Sequence, residues 1–310
     1  MKVKRLKHRT AADIDSRIER VHKDIGYVGG KIDLRVVRDR LRLDLHYYQS
    51  DDPSLVQEVL HKLTVAGKQI LARPMLFFEA ARKFDLGAFY LPDRKRILLD
   101  TTTVPKLKLR WTEAHEIGHS LLPWHEAYTL GDDKSTVSET CQQLIEVEAN
   151  YGAGRLLFPN SAFEEVRRAS TLTHARIREI STHFGNTITS TLWRCVERDE
   201  GVVFACIGEH PRYSRPEEPR LKYFVTSPSF EKQFPSVTED EVWAWLQSFA
   251  SYSKRGPLGA AEIIISDANR ERHVFHLESF CIKYYVHTVA RYQCAVAAQV
   301  AVAGALLQQG

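Results

Sequence analysis

Two imidazoles one helical turn apart constrain this chain more than any other feature. The segment Trp111-Thr112-Glu113-Ala114-His115-Glu116-Ile117-Gly118-His119-Ser120-Leu121 places His115 and His119 four residues apart. On a helix both rings then share a face and reach for a single ion. Trp111, Ala114, Gly118 and Leu121 recur at helical intervals on a neighbouring face, so they are expected to hold the helix against a core while the histidines face a cleft. Glu116 follows His115 directly and is expected beside the open coordination position, not among the ligands. Zinc lowers the pKa of a bound water to about 7, and a carboxylate there can take its proton and later return it to a leaving amine. The chemistry expected of this motif is amide hydrolysis with Glu116 as general base.

Such a site needs a third protein ligand, and two stretches offer one. His125 stands where the extended pattern H-E-x-x-H-x-x-G-x-x-H has its last histidine, but Leu122 and Pro123 replace the glycine turn. Both methionines, Met1 and Met75, lie upstream, so the Met-turn of that class cannot form. The other stretch is Glu146-Val147-Glu148-Ala149-Asn150-Tyr151, inside an apolar-periodic run from Ser138 to Phe158 that reads as a helix. Glu146 and Asn150 are four apart. Glu146 would complete a His2Glu zinc set while the Asn150 amide hydrogen-bonds a ligand imidazole from behind. Glu148 falls on another face, and it and His125 stay open as alternatives to Glu146. Gly152 and Gly154 each cost about 1 kcal/mol in a helix interior relative to alanine, so tight packing on the His115 helix is expected of them.

The rest of the chain divides by changes of pattern. Helical spacing of Ile14, Ile18 and Val21 opens it. Leu41, Leu43, Leu45 and Tyr47 then alternate with Arg42, Asp44 and His46 as in a half-buried strand. Gly87 to Tyr90 and Ile97 to Leu99 flank Pro92-Asp93-Arg94-Lys95, which suits a hairpin. From about 105 to 200 the pattern is helical, with Gly185 a turn between two shorter helices. Beyond Gly201 the prolines 211, 216 and 219 precede apparent strands at Lys222 to Val225 and Ala261 to Ile265 and a helix at Glu239 to Phe249. The Ala-rich run from Ala295 to Leu307 reads as a buried terminal helix, too short to span a bilayer. The expected organisation is an N-terminal basic and helical segment over 1–30, a metal-binding domain over 31–200, and a C-terminal α/β module over 201–310.

Composition narrows the setting. With 44% hydrophobic and 26% charged residues, 310 residues can bury one large core or two. Cys141, Cys195, Cys206, Cys281 and Cys294 are odd in number with no C-x-x-C pair, which fits thiols in a reducing compartment. A charged N-terminus without an apolar core is not a secretory signal. A cytoplasmic protein without a membrane partner is therefore expected. A net charge of +4 over this length does not imply a nucleic-acid partner, and direct DNA binding is not expected.

Three motifs occur in order: His115-Glu116-Ile117-Gly118-His119, then Glu146-Val147-Glu148-Ala149-Asn150, then Leu156-Leu157-Phe158-Pro159. Together they resemble the ImmA/IrrE family of metallo-endopeptidases over about residues 30 to 195. The resemblance favours Glu146 as third ligand, with Asn150 supporting it. It implies a zincin-like α+β core, Zn2+ as cofactor, and site-specific proteolysis of a protein substrate, a transcriptional repressor, often in stress response. Gly152 stands where the family usually has an aromatic residue and Phe158 where it often has methionine, departures that touch pocket shape. Many members carry an N-terminal helix-turn-helix, and no such pattern is read in the first residues here.

The competing reading is a transcriptional regulator or sensor protein with a structural or vestigial metal site. Its best support is Thr171 to Arg198, where two helices about Gly185 would present Thr189, Thr191 and Arg194 to base edges. A third reading gives the C-terminal module a sensory role over the protease. For substrate contact, Ile97 to Asp100, just before the metal helix, is expected to pair with an extended segment. His125, Tyr128, Tyr151 and Arg155 are the candidates for stabilising the oxyanion. Oligomeric state is not legible.

Overall fold

The computed structural model describes residues 6–48, 88–91, 95–100, 108–125, 139–210, 221–249, 256–282 and 284–296. The Pro92–Arg94 turn, Tyr128, the proline run at 211–219 and the Ala-rich end beyond 296 lie outside them. The chain forms mixed helix and sheet in two compact units, one of residues 4–164 with 183–187, the other of 165–182 with 188–310. The division departs from the expected boundaries in two ways. The first helix, expected in an N-terminal segment, packs on the helix that bears Glu146. The second unit also begins well before residue 201.

The first unit is built around a three-stranded sheet packed with helices. Helix α1 (His8–Asp24) buries Ile14, Ile18 and Val21, as its spacing requires. Helix α2 (Leu34–Leu41) starts where the Asp33 carboxylate accepts the Arg35 N–H, and ends at Arg42, whose φ of 56° is left-handed. That ending corrects the strand expected from Leu41, since β1 (Asp44–Tyr48) can begin only after the left-handed residue. Strands β2 (Ala88–Leu91) and β3 (Arg96–Asp100) form the expected hairpin pairing. Strand β1 runs parallel to β3 on its other side, so the order is β1-β3-β2. With both edges paired, β3 buries Ile97, Leu98 and Leu99 consecutively, an apolar run without alternation.

Helices α3 (Leu109–Ser120) and α4 (Glu139–Leu157) pack closely on one another, and α3 also lies against β2 and β3. A Cβ added at Gly118 would stand 2.9 Å from the Ala149 carbonyl oxygen, so the glycine between the two histidines is what lets α3 approach α4. Gly152 and Gly154 do face α3, but a Cβ there would meet Gly118 Cα at 3.6 Å and the Trp111 ring at 3.8 Å, ordinary contacts. The tight approach thus belongs to Gly118. Phe158, Phe163 and Phe184 close the end of α4 edge to face, with centroids 5.1 to 5.9 Å apart.

In the second unit, described by itself, helices α5 (Asn160–Arg168, from 165) and α6 (His174–Phe184, to 182) lead to α7 (Ile188–Glu197) and strands β4 (Val203–Glu209) and β5 (Leu221–Thr226). A short helix α8 (Pro228–Gln233) follows, capped by the Ser227 hydroxyl, then α9 (Glu239–Phe249). Strands β6 (Gly256–Ser266), β7 (Arg272–Ile282) and β8 (Tyr285–Ala295) complete a five-stranded sheet of order β5-β4-β8-β7-β6, antiparallel throughout. The expected α/β module is therefore not built from parallel crossovers. Its core joins Phe204, Phe224 and Phe275 of the sheet with Phe230, Phe234, Trp243 and Leu246 of the helices. Ala295, expected to open a helix, ends β8. No helix among the described residues is long and apolar enough to cross a membrane.

Candidate metal centre

His115 and His119 project from the same face of α3, as their spacing demands, and their Nε2 atoms lie 3.1 Å apart. From α4, Glu146 brings Oε2 to 3.1 Å from His115 Nε2 and Oε1 to 3.7 Å from His119 Nε2. The three side chains present their ligand atoms to one another within 4.8 Å. Two ligand nitrogens around one tetrahedral zinc, each at 2.0–2.1 Å, stand about 3.3 Å apart, close to the separation here. The donor set therefore fits a small divalent cation.

The far side of each imidazole is also held. His115 Nδ1 is 3.1 Å from Asn150 Oδ1, so the ring donates there and leaves its Nε2 facing His119 and Glu146. This is the place the sequence assigned to Asn150. His119 Nδ1 lies 2.9 Å from His125 Nδ1, and His125 Nε2 lies 2.9 Å from Glu148 Oε2. The Trp124 indole N–H donates to the same Glu148 oxygen at 2.6 Å. His125 and Glu148, the two alternative ligands, thus sit outside the cluster and against each other, both buried. The reason is angular. Two residues along a helix turn Glu148 away from Glu146, and the chain returning after α3 brings His125 behind His119 instead of into the cleft.

Electrostatics bind the group together. Burial opposes charge on both rings. His119 is pushed down to about 3 by burial first and by the neighbouring His115 second. At His115 the hydrogen bond to Glu146 and the charges of Glu116 and Glu146 outweigh burial, and its pKa is raised. Burial likewise opposes ionisation of Glu146, but the histidines outweigh it and hold the carboxyl down. Groups whose protonation is coupled in this way release protons when a cation binds between them.

Glu116 lies among the buried residues of α3, only 6% exposed. Burial raises its pKa to about 7, against the opposing charge of His115 and a backbone hydrogen bond from Tyr90 of β2. A divalent cation in the adjoining cluster would favour the ionised carboxylate. Strand β2, with β3 as its one partner among the described residues, therefore runs beside the cluster. This corrects the expectation for Ile97 to Asp100, because β3 is the central strand and neither of its edges is available.

Other expectations fall differently. Tyr151 donates to Asp15 of α1 at 3.0 Å, and Arg155 pairs with the same carboxylate, which ties α1 to α4 and removes both from the oxyanion candidates. His125 is engaged with His119 and Glu148. In the second unit Thr191 and Arg194, offered for base edges, are buried, and Thr189 bonds His287 at 2.9 Å. Cys195, Cys206, Cys281 and Cys294 are free thiols. A histidine–carboxylate group that the sequence reading passed over, Asp267, Glu271 and His273, gathers at the β6–β7 turn. Its signal was a D-x3-E-x-H spacing too common in turns to stand out.

Comparison with known proteins agrees with the motifs. Residues 74–195 match the model of the IrrE N-terminal-like domain of peptidase family M78, a span ending where the resemblance in the sequence ends. No curated protein matches the chain. A Mycobacterium tuberculosis transcriptional regulator of solved structure aligns over 92% of this chain and 88% of its own at 12% identity, with a TM-score of 0.47, too slight a likeness to assign fold or function.

Proposed function

We propose, from an IrrE N-terminal-like domain at residues 74–195, that this protein is a zinc-dependent endopeptidase with a zincin-like core, hydrolysing a peptide bond in a protein substrate. His115, His119 and Glu146 hold the metal, Asn150 orients His115, and Glu116 is the general base. The observation that carries the reading is the convergence of the three ligand side chains beside the buried carboxylate of Glu116.

Zinc held there would supply Lewis acidity, lowering the pKa of a water to about 7 and polarising a carbonyl. The chain's own residues do the rest. Glu116, hydrogen-bonded by the Tyr90 N–H, takes the proton of the attacking water on a carboxylate oxygen and returns it to the nitrogen of the departing amine. The Asn150 amide oxygen keeps the proton of His115 on Nδ1, leaving Nε2 for the metal. An extended substrate segment lies along β2, in place of the β3 expected, where main-chain bonds would set it beside Glu116.

A repressor as substrate, and a cytoplasmic setting, follow from the family resemblance and the reducing pattern of thiols. The regulator with a structural metal is less well supported. A structural zinc site has no use for a buried carboxylate beside an open position, and it draws on four protein ligands, usually cysteine-rich. Metal content and peptide hydrolysis measured on wild type, Glu116→Gln, His119→Ala and Glu146→Gln test the proposal. About one zinc in wild type and in Glu116→Gln, with hydrolysis only in wild type, is the expected result. Wild type without zinc, or Glu116→Gln at full rate, refutes it.

A further inference from the structure

We propose that His125 and Glu148 are positioning residues that tether His119 in the tautomer that binds the metal. The inference rests on the zinc reading above but concerns residues that reading leaves out of the ligand set.

The hydrogen-bond chain allows one assignment of protons once His119 binds through Nε2. Its Nδ1 must then carry the hydrogen, and among the described residues its partner is His125 Nδ1 at 2.9 Å. His125 Nδ1 must accept, so the single proton of a neutral His125 sits on Nε2 and is donated to Glu148 Oε2 at 2.9 Å. A carboxylate is an acceptor only, and it also takes the Trp124 indole proton on that oxygen. Every donor in the chain therefore meets an acceptor. The reverse order fails, since a His125 carrying hydrogen on Nδ1 would point it at the hydrogen of His119.

Burial makes the arrangement matter. His125 is 2% exposed and Glu148 5%, so water does not replace a missing partner and an unpaired group there is costly. The turn is held as well. His125 N–H bonds the Leu122 carbonyl at 2.8 Å, the Arg17 guanidinium lies over the Trp124 ring at 5.2 Å, and Arg17 also reaches the Leu121 carbonyl. His119 thereby receives from Glu148 through His125 what His115 receives from Asn150 directly. One helix, α4, serves three roles through three residues: Glu146 toward the metal, Asn150 behind the first histidine, and Glu148 behind the second.

Zinc affinity by competition with a chromophoric chelator, on wild type, His125→Ala, His125→Asn and Glu148→Gln, tests the tether without recourse to activity. His125→Ala is expected to weaken zinc about 10- to 100-fold. His125→Asn, whose amide oxygen can accept the His119 proton as Asn150 accepts that of His115, should recover most of the loss. A role confined to packing would not be rescued in this way, so equal losses in both variants, or no loss in either, overturn the tether while leaving the zinc site standing. Wild type that binds no zinc would instead sink the metal reading itself. Long-range 1H–15N spectra of the zinc-loaded wild type give a check that no variant can spoil: His125 protonated on Nε2 is required, and a proton on Nδ1 overturns the proposal.

Discussion

Histidines and carboxylates converge in two places among the described residues, and the two differ in how their side chains are held. At His115, His119 and Glu146 the far nitrogen of each imidazole has a partner, Asn150 or His125, and the near nitrogens face one point. At Asp267, Glu271 and His273 the turn takes up the Asp267 carboxylate, and no residue holds the His273 ring from behind among the described residues. Asp267 Oδ1 accepts the N–H groups of Asn269 and Glu271 at 2.8 Å each, Oδ2 lies 3.3 Å from His273 Nε2, and Glu271 is exposed. The first cluster is aimed by two helices packed at a glycine. The second is a hairpin turn capped by the Asp267 carboxylate, with His273 beside it. Convergence of residue types is therefore a weak sign of a site, and orientation from behind is a strong one.

Several measurements would break or sharpen that contrast. The largest effect belongs to Glu116→Gln, which should cost hydrolysis about 10²- to 10⁴-fold with zinc content unchanged. Elemental analysis comes next: His119→Ala and Glu146→Gln should lose the metal, whereas His273→Ala should keep all of it. A wild type holding two zinc ions, one of them lost in His273→Ala, would erase the distinction between the clusters.

The buried histidines of the sheet unit give a third, thermodynamic test. Burial, then the nearby His174, pushes His287 down to about 4 from 6.5, and burial lowers His174 as well. Because the unfolded chain takes up these protons first, the stability is fully present above about pH 6.5 and is lost as pH falls toward 4. A shift of that size in His287 corresponds to about 3 kcal/mol. Urea melts of wild type and His287→Gln at pH 7.5, 6 and 5 should converge as pH falls, and parallel curves would exclude this origin.

The smallest effects concern the helix contact that aims the metal cluster. Gly118→Ala places a methyl 2.9 Å from the Ala149 carbonyl and should destabilise by about 1–3 kcal/mol while weakening zinc. Gly152→Ala meets only ordinary contacts and should be neutral or stabilising by up to about 1 kcal/mol. Denaturant midpoints for the pair would show whether close approach is confined to Gly118, and equal losses at both would spread it along α4.

What the sequence determined by itself was whatever depends on local periodicity. A spacing of four places two side chains on one face of a helix wherever that helix lies, so His115 with His119 and Glu146 with Asn150 were legible as pairs, as were α1, α9 and the β2–β3 hairpin. Left to tertiary structure was everything that depends on how separate elements meet. No pattern in the chain says that β1 joins β3 from the far side and closes the edge expected for substrate, or that Tyr151 and Arg155 turn to Asp15 and leave the cleft. Nor does any local rule turn His125 from candidate ligand into the partner of one. That choice is made by the close approach of α3 and α4 at Gly118 and by the burial of Glu148 behind His119, where a buried carboxylate and two imidazoles must satisfy one another's hydrogen bonds.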